Sequence, residues 1–400
     1  MRLSRTSRRD RRRWIRRALA SLAVLAVLVA GLFGWAALST GYSTIARVLV
    51  WQESDIGDQY RFPSRRIETE SPPSALPSGT PVALRARAFL SQSDRPLTAA
   101  LRATNTRAFL VVHDDQIVYE SYFDDAGSQT TETSFSVAKS FLSTLVGLAI
   151  KQGRIHSVDD AVTDYVPELA KRDPRFTRIT LRDLLTMTSG LRYRESGFPW
   201  PFGDDTYTYL GTDLRQVALE RSHIDEPPGR HWLYNNYNPL LVGLVLERAT
   251  GMSVSDYMSQ VLWRPLGAAE DATWNLDSRA SGFEKMESGL NATPLDYARF
   301  GLLFQHDGRW NGRQIVPMKW IQAATAPQVD TPWNNPYGDF WWIDGQRPEN
   351  FYAFGDYGQY IYVAPRDHTV IVRIGSDWGT DNPRWLGLFH DLIDQIVPRR

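Results

Sequence analysis

Ala108-Phe109-Leu110-Val111-Val112, then His113-Asp114-Asp115, then Gln116-Ile117-Val118-Tyr119 reads as a strand, a polar turn and a strand. A matching pair stands near the other end of the chain. Gln359-Tyr360-Ile361-Tyr362-Val363 runs into Pro365-Arg366-Asp367-His368 and then into Thr369-Val370-Ile371-Val372-Arg373-Ile374. From Trp385 to Val397 the period changes to helical, with Leu386, Phe389, Leu392 and Ile393 on one face. Strands at both ends most simply form one antiparallel sheet, with the C-terminal helix covering a face. Between them, residues 136–330 carry mainly helical patterns and loops. The expected class is α+β, sandwich-like. An antiparallel sheet of N- and C-terminal strands has flanking helices and an inserted, mainly helical subdomain.

Composition narrows the options. The 400 residues are 42% hydrophobic and 12% aromatic, enough for a sizeable core. With no cysteine, a disulfide scaffold, a thiolate metal site, a cysteine nucleophile and a lipid-modified cysteine are excluded. The net charge of zero conceals a division: residues 1–17 hold nine Arg and one Asp, so the rest of the chain carries a matching acidic excess. A basic tail on an acidic body argues against a nucleic-acid partner.

Residues 18–38, Ala18 to Leu38, contain no charged side chain. As a helix they reach about 30 Å, the depth of a hydrocarbon core. The arginines before them place the N-terminus in the cytoplasm and the body on the periplasmic or extracellular side. A cleaved signal is the competing reading and would give a secreted form. The long apolar run and the lack of a clean Ala-x-Ala site favour a single-pass anchor. The expected division is a basic tail at 1–17, a transmembrane helix at 18–38, an extension and Pro/Ser-rich linker at 39–85, and the main folded domain at 86–400. Residues 39–60 suggest no element. From Phe62 to Leu84 the text reads as a connector that lifts or straps the domain.

Ser136-Val137-Ala138-Lys139 opens a long apolar helix, Phe141 to Ile150, with Ser136 in its first turn and Lys139 over the same face. Serine as nucleophile needs an amine within reach. The helix dipole favours alkoxide and neutral amine, and apolar surroundings lower the lysine pKa. The chain has five lysines, and only Lys139 has a serine three residues before it. Tyr234 and Asn236 follow a Pro227-Pro228-Gly229 turn and precede the helix at Leu240–Leu246. A phenol there can relay a proton and an amide can orient a carbonyl. Ala353-Phe354-Gly355-Asp356-Tyr357-Gly358 leads into a strand, where backbone N–H groups of a glycine-rich edge can join the N–H of Ser136 in an oxyanion hole.

Together these stretches resemble the serine β-lactamase and penicillin-binding-protein superfamily, in its class C-like branch of esterases and 6-aminohexanoate-oligomer hydrolases. Leu181-Arg182-Asp183-Leu184-Leu185-Thr186-Met187-Thr188-Ser189-Gly190-Leu191 and Gly289-Leu290-Asn291-Ala292-Thr293-Pro294 fit the same branch. The resemblance spans about residues 86–400. It implies Ser136 as acylated nucleophile, Lys139 as base and Tyr234 as second proton-transfer group. Asn236, Gly355, Asp356 and Gly358 would serve at the substrate or oxyanion side, with no metal and no cofactor. One position departs from the pattern. The third motif usually carries Lys, His or Trp two residues before its glycine, and here Ala353 stands before Gly355. Alignment on Gly358 instead puts Asp356 there. Either way no cation awaits a substrate carboxylate, which favours a small-molecule ester or amide substrate over a β-lactam or D-Ala-D-Ala peptide.

Tyr193, Phe198, Trp200, Phe202, Tyr207 and Tyr209, and separately Trp341 and Trp342, are candidates for an aromatic wall. Asp204 and Asp205 read as solvated loop acids. There is no G-x-S-x-G elbow and no H-E-x-x-H. The remaining alternatives to an ester or amide hydrolase are a carboxypeptidase or β-lactamase, and a tethered penicillin-binding-like sensor that acylates without turnover.

Overall fold

The computed structural model describes residues 8–70, 72–87, 89, 94–196 and 202–397. Six strands form the main sheet: β1 (Thr106–His113), β2 (Gln116–Tyr122), β3 (Trp342–Ile343), β4 (Phe351–Gly355), β5 (Gln359–Ala364) and β6 (Thr369–Gly375). Their order is β3-β4-β5-β6-β1-β2, antiparallel throughout. The two hairpins legible in the sequence meet in the middle, where Ile371 faces Val111 and Val372 faces Leu110. β6 is buried at every position, so it reads as a continuous apolar run and not as an alternation.

Six helices matter below: α1 (Arg8–Ser39), α2 (Thr44–Trp51), α3 (Ala138–Lys151), α4 (Tyr237–Thr250), α5 (Pro294–Gln305) and α6 (Asn382–Ile396). On one face of the sheet lies α6, where Phe389 meets Phe109, Tyr360 and Tyr362. The other face takes α5. Gly301 makes that approach possible, because a Cβ there would fall 2.6 Å from Val370 Cγ1. Behind α5 runs α3, with Phe141 stacked on Phe300 at 3.7 Å between ring centroids. α3 is buried along almost its whole length. A helix apolar on every side requires neighbours on every side, and this one has them.

A second, smaller sheet pairs Ser64–Ile67 with Ala272–Asn275, then Leu290–Ala292, then Glu132–Thr133. The connector after it is a strap. Ile117 N–H donates to Pro77 O (2.9 Å), Gly79 N–H to Ile117 O (2.9 Å) and Val82 N–H to Val118 O (2.9 Å). These bonds occupy an edge of β2 that would otherwise stay unpaired.

Residues 39–60 are ordered as well. α2 directs the buried Arg47 guanidinium to Thr40 O, Leu210 O and Gly211 O at 2.7, 3.2 and 3.1 Å. Burial lowers its pKa to about 10. α1 contains the one span, Arg11–Ser39, that is long and apolar enough among the described residues to cross a membrane. Near its C-terminal end Ala36 and Ser39 are buried.

Candidate active site

The turn that carries Ser136 is not the first turn of the helix. Phe135–Val137 form a separate 3-10 turn, and α3 starts at Ala138. Phe135 has φ +44°, a left-handed conformation that costs an aromatic residue free energy and so needs support from its surroundings. Its ring lies 5.1 Å from that of Tyr357. The turn leaves Ser136 partly exposed while its neighbours on both sides are buried.

Lys139 is fully enclosed. Its Nζ lies 2.8 Å from Ser136 Oγ and 2.7 Å from Glu287 O. It also stands 4.9 Å from the centroid of the Tyr234 ring. Burial depresses its pKa from 10.5 to about 7, with the Glu287 and Asp356 carboxylates opposing the fall. A proton can therefore pass in either direction between amine and hydroxyl near neutrality. Burial holds the Tyr234 phenol well above its ordinary range against the pull of the Ser136 hydroxyl, so it stays protonated. Trp342 stacks on Tyr234 at 6.1 Å and 22°. A serine and a lysine one helical turn apart thus meet a tyrosine from a distant part of the chain around the lysine amine.

β4 brings up the third element. A Cβ on Gly355 would fall 2.5 Å from Ser134 O and 2.9 Å from Ser136 N. Only glycine lets the strand end press against the serine turn. Asp356 follows directly. The residue is exposed, yet desolvation by the protein around it pushes its pKa up against the pull of Lys139. Gly358 stands apart from this group: with φ +74° it packs on the buried Arg373 guanidinium, which donates to Gly358 O at 2.6 Å. Its role is in the turn between β4 and β5. Ala353 is buried and brings no charge. Asn236 donates to Tyr193 OH at 3.1 Å, and its buried Oδ1 has no partner among the described residues.

Local sequence did not disclose the layer beneath. Glu287, whose backbone carbonyl takes Lys139, gives its carboxylate to Lys285 Nζ at 2.8 Å, and both side chains are 1% exposed. Lys285 also lies over the rings of Phe62 (4.5 Å) and Tyr209 (3.9 Å) and donates to Tyr209 O. Tyr209 OH donates to Asp58 at 2.5 Å, and Tyr357 OH to Ser54 O at 2.5 Å. The segment after α1 is thus part of the wall.

The aromatic candidates divide. Trp342 belongs to the site, whereas Trp341 packs into the core against Phe300 and Phe304. Tyr209 supports Lys285, and Tyr207 lies under the Arg221 guanidinium. Phe198 and Trp200 lie outside the described residues. Asp204 and Asp205 are not solvated loop acids. Asp204 is buried and accepts from Tyr237 OH at 2.7 Å; Asp205 accepts from Ser196 N–H and Oγ at 2.7 and 2.8 Å.

Comparison with known proteins agrees with this arrangement. A sequence model of the Beta-lactamase family matches residues 97–385. The chain is 29% identical over 323 residues to the 6-aminohexanoate-dimer hydrolase of Paenarthrobacter ureafaciens, covering 74% of this chain and 79% of that one. A solved structure from Bacillus anthracis, assigned to the 6-aminohexanoate-dimer hydrolases, superposes with a TM-score of 0.76 at 25% identity. The match covers 84% of this chain and 92% of that one. A class C beta-lactamase shares the fold, with a TM-score of 0.56 at 16% identity over 76% of this chain and 95% of the other.

Proposed function

Since the chain belongs to the Beta-lactamase family, a superfamily of serine hydrolases, we propose that it cleaves an ester or amide through an acyl-enzyme on Ser136. Ser136 Oγ attacks the carbonyl carbon and its proton passes to Lys139 Nζ. The N–H of Ser136 and the backbone at Gly355–Asp356 receive the negative oxygen. Tyr234 then protonates the departing alcohol or amine and recovers a proton from Lys139. Water then attacks the resulting ester as its proton passes to Lys139 Nζ, and that proton returns to Ser136 Oγ as the acid departs, which restores the serine and the neutral amine.

The observation that carries this reading is a buried lysine, poised near pH 7, 2.8 Å from a hydroxyl that solvent can reach. A buried amine without a counter-charge of its own is costly, and proton transfer is the use that offsets it. Ala353 and the carboxyl of Asp356 disfavour substrates recognised by a carboxylate, so an uncharged ester or amide fits better than a β-lactam. The name of the Paenarthrobacter relative adds linear amides to the candidates.

α1 fits an uncleaved anchor with the body on the outer side. Ala36 and Ser39, at its C-terminal end, are buried, so removal of the whole helix would strip packed residues from the protein.

The test is labelling with a fluorophosphonate, together with turnover of p-nitrophenyl acetate, 6-aminohexanoate dimer and nitrocefin. Labelling that disappears in Ser136→Ala, with turnover of the ester or amide, is expected. Labelling without turnover of any of the three would make the protein a sensor. Labelling that persists in Ser136→Ala would remove the nucleophile from the scheme.

A further inference from the structure

We propose that the cleft walled by Trp333, Trp342, Phe354 and Trp378 is a subsite for an uncharged, apolar part of the substrate, an alkyl chain or an aryl ring. The inference rests on the ester or amide hydrolase reading and adds a substrate class to it. The cleft has a volume of about 500 Å³. It adjoins the reacting groups through two shared residues. Trp342 stacks on Tyr234, and Phe354 lies between Ala353 and Gly355, next to the serine turn.

The strand edge points the same way. β3 pairs with β4 only at Phe351 and Tyr352, so among the described residues no strand lies beside the edge at 353–355. A substrate chain running along that edge passes from the serine into the cleft. Most of its polar neighbours are engaged within the protein, leaving the exposed Asn334 and the outer side of the Asp381 carboxylate at the rim. Asn335 donates to Trp333 O (3.4 Å) and accepts from Gly345 N–H (3.0 Å). Asn382 donates to Tyr352 OH (3.1 Å) and accepts from Tyr360 OH (2.9 Å), and Asp381 accepts from Arg384 N–H (3.0 Å). What remains for a ligand is mainly indole and phenyl surface. Trp333 is 60% and Trp378 45% exposed, large apolar faces left in water in this cleft. An anionic ligand would gain little from these walls. Each methylene laid on them gains up to about fourfold in kcat/KM.

The experiment measures the intact protein on two ester series: p-nitrophenyl esters from acetate to octanoate, and acetates of alcohols from ethanol to octanol. In one series kcat/KM should rise by roughly ten- to hundredfold between two and six carbons. Which series rises tells whether the acyl or the leaving group occupies the cleft. Trp333→Ala and Trp378→Ala, both at exposed positions, should cut that rise at least fivefold and leave acetate turnover within twofold. Equal chain-length dependence in the unmodified protein and both variants would overturn the subsite. Calorimetric titration with octanamide against acetamide gives a reading independent of turnover. Saturable octanamide binding that weakens in Trp333→Ala supports the subsite even if no ester is cleaved, the result that would defeat the hydrolase reading instead. Octanamide binding no better than acetamide overturns the subsite alone.

Discussion

Two lysines, 139 and 285, are buried side by side and share Glu287, yet their surroundings differ in kind. Lys285 meets the carboxylate of Glu287 face to face and has two aromatic rings around it. Lys139 meets the backbone carbonyl of the same residue and a neutral hydroxyl. Burial lowers both pKa values, and only Lys285 has a direct ion pair to resist the fall. One glutamate therefore satisfies an ammonium with its side chain and holds an amine in place with its main chain. The contrast separates a structural cation from a group available as a base.

Removing each amine in turn should break the pair in opposite ways. Lys139→Met is expected to lower kcat/KM on p-nitrophenyl acetate by about 10⁴-fold, the scale for losing one member of a nucleophile–base pair. Its fold should be retained or gain stability. The folded pKa of Lys139, about 7, lies below the usual 10.5, so the unfolded chain binds more protons between those values. The native protein's stability from this group accordingly rises from pH 7 to 10.5. The melting-temperature advantage of Lys139→Met should be greatest at and below pH 7 and fade toward pH 10.5. Lys285→Met leaves the Glu287 carboxylate buried without its partner, which costs about 3–5 kcal/mol by denaturant titration. Activity per folded molecule should fall much less than in Lys139→Met. A Lys285→Met protein of normal stability with no activity would erase the distinction.

Tyr234→Phe probes the third member of the contact. It removes one hydroxyl and keeps the ring that stacks on Trp342 and faces Lys139. A loss of about 10²-fold in kcat, with little change in melting temperature, is expected for a proton-transfer group. The loss should be larger for amides than for nitrophenyl esters, because an amine leaving group needs the proton and nitrophenolate does not. Equal losses on both would return the phenol to a packing role.

What was legible in the sequence follows the range of the interactions. The two hairpins and α6 announce themselves by local period, and Ser136-Val137-Ala138-Lys139 by a spacing of one helical turn. The positive φ at Phe135 has no such signature, so the serine was expected inside the helix and stands in a turn before it. Residues 39–60 suggest little because their partners are remote: Arg47 meets Leu210 and Asp58 meets Tyr209, and Phe62, at the start of the connector, lies under Lys285. Glu284-Lys285-Met286-Glu287 draws no reading from its sequence, and its burial depends on a remote residue: Trp274 Nε1 donates to Lys285 O and Ser288 O at 2.8 and 2.9 Å. Gly355 and Gly358 look interchangeable in the text. One is fixed by the serine turn and the other by Arg373, a difference only packing reveals.

The smallest effect, and the sharpest test of the shared glutamate, is a shift in a pH profile. Proton acceptance by Lys139 makes kcat/KM rise with pH through about 7 and level off above it. The Glu287 carboxylate favours the charged amine and so raises that pKa against burial. Glu287→Gln keeps the backbone carbonyl at Lys139 while removing the charge. The rising limb should then move to lower pH, by about one unit or less at the effective dielectric of such sites. Coupling through Lys285 works in the same direction, since that lysine, left without its counter-ion, repels a proton on Lys139 wherever it remains charged. A shift to higher pH would mean that Glu287 acts on Lys139 through geometry and not through charge, and the two lysines would no longer be a contrast of electrostatics.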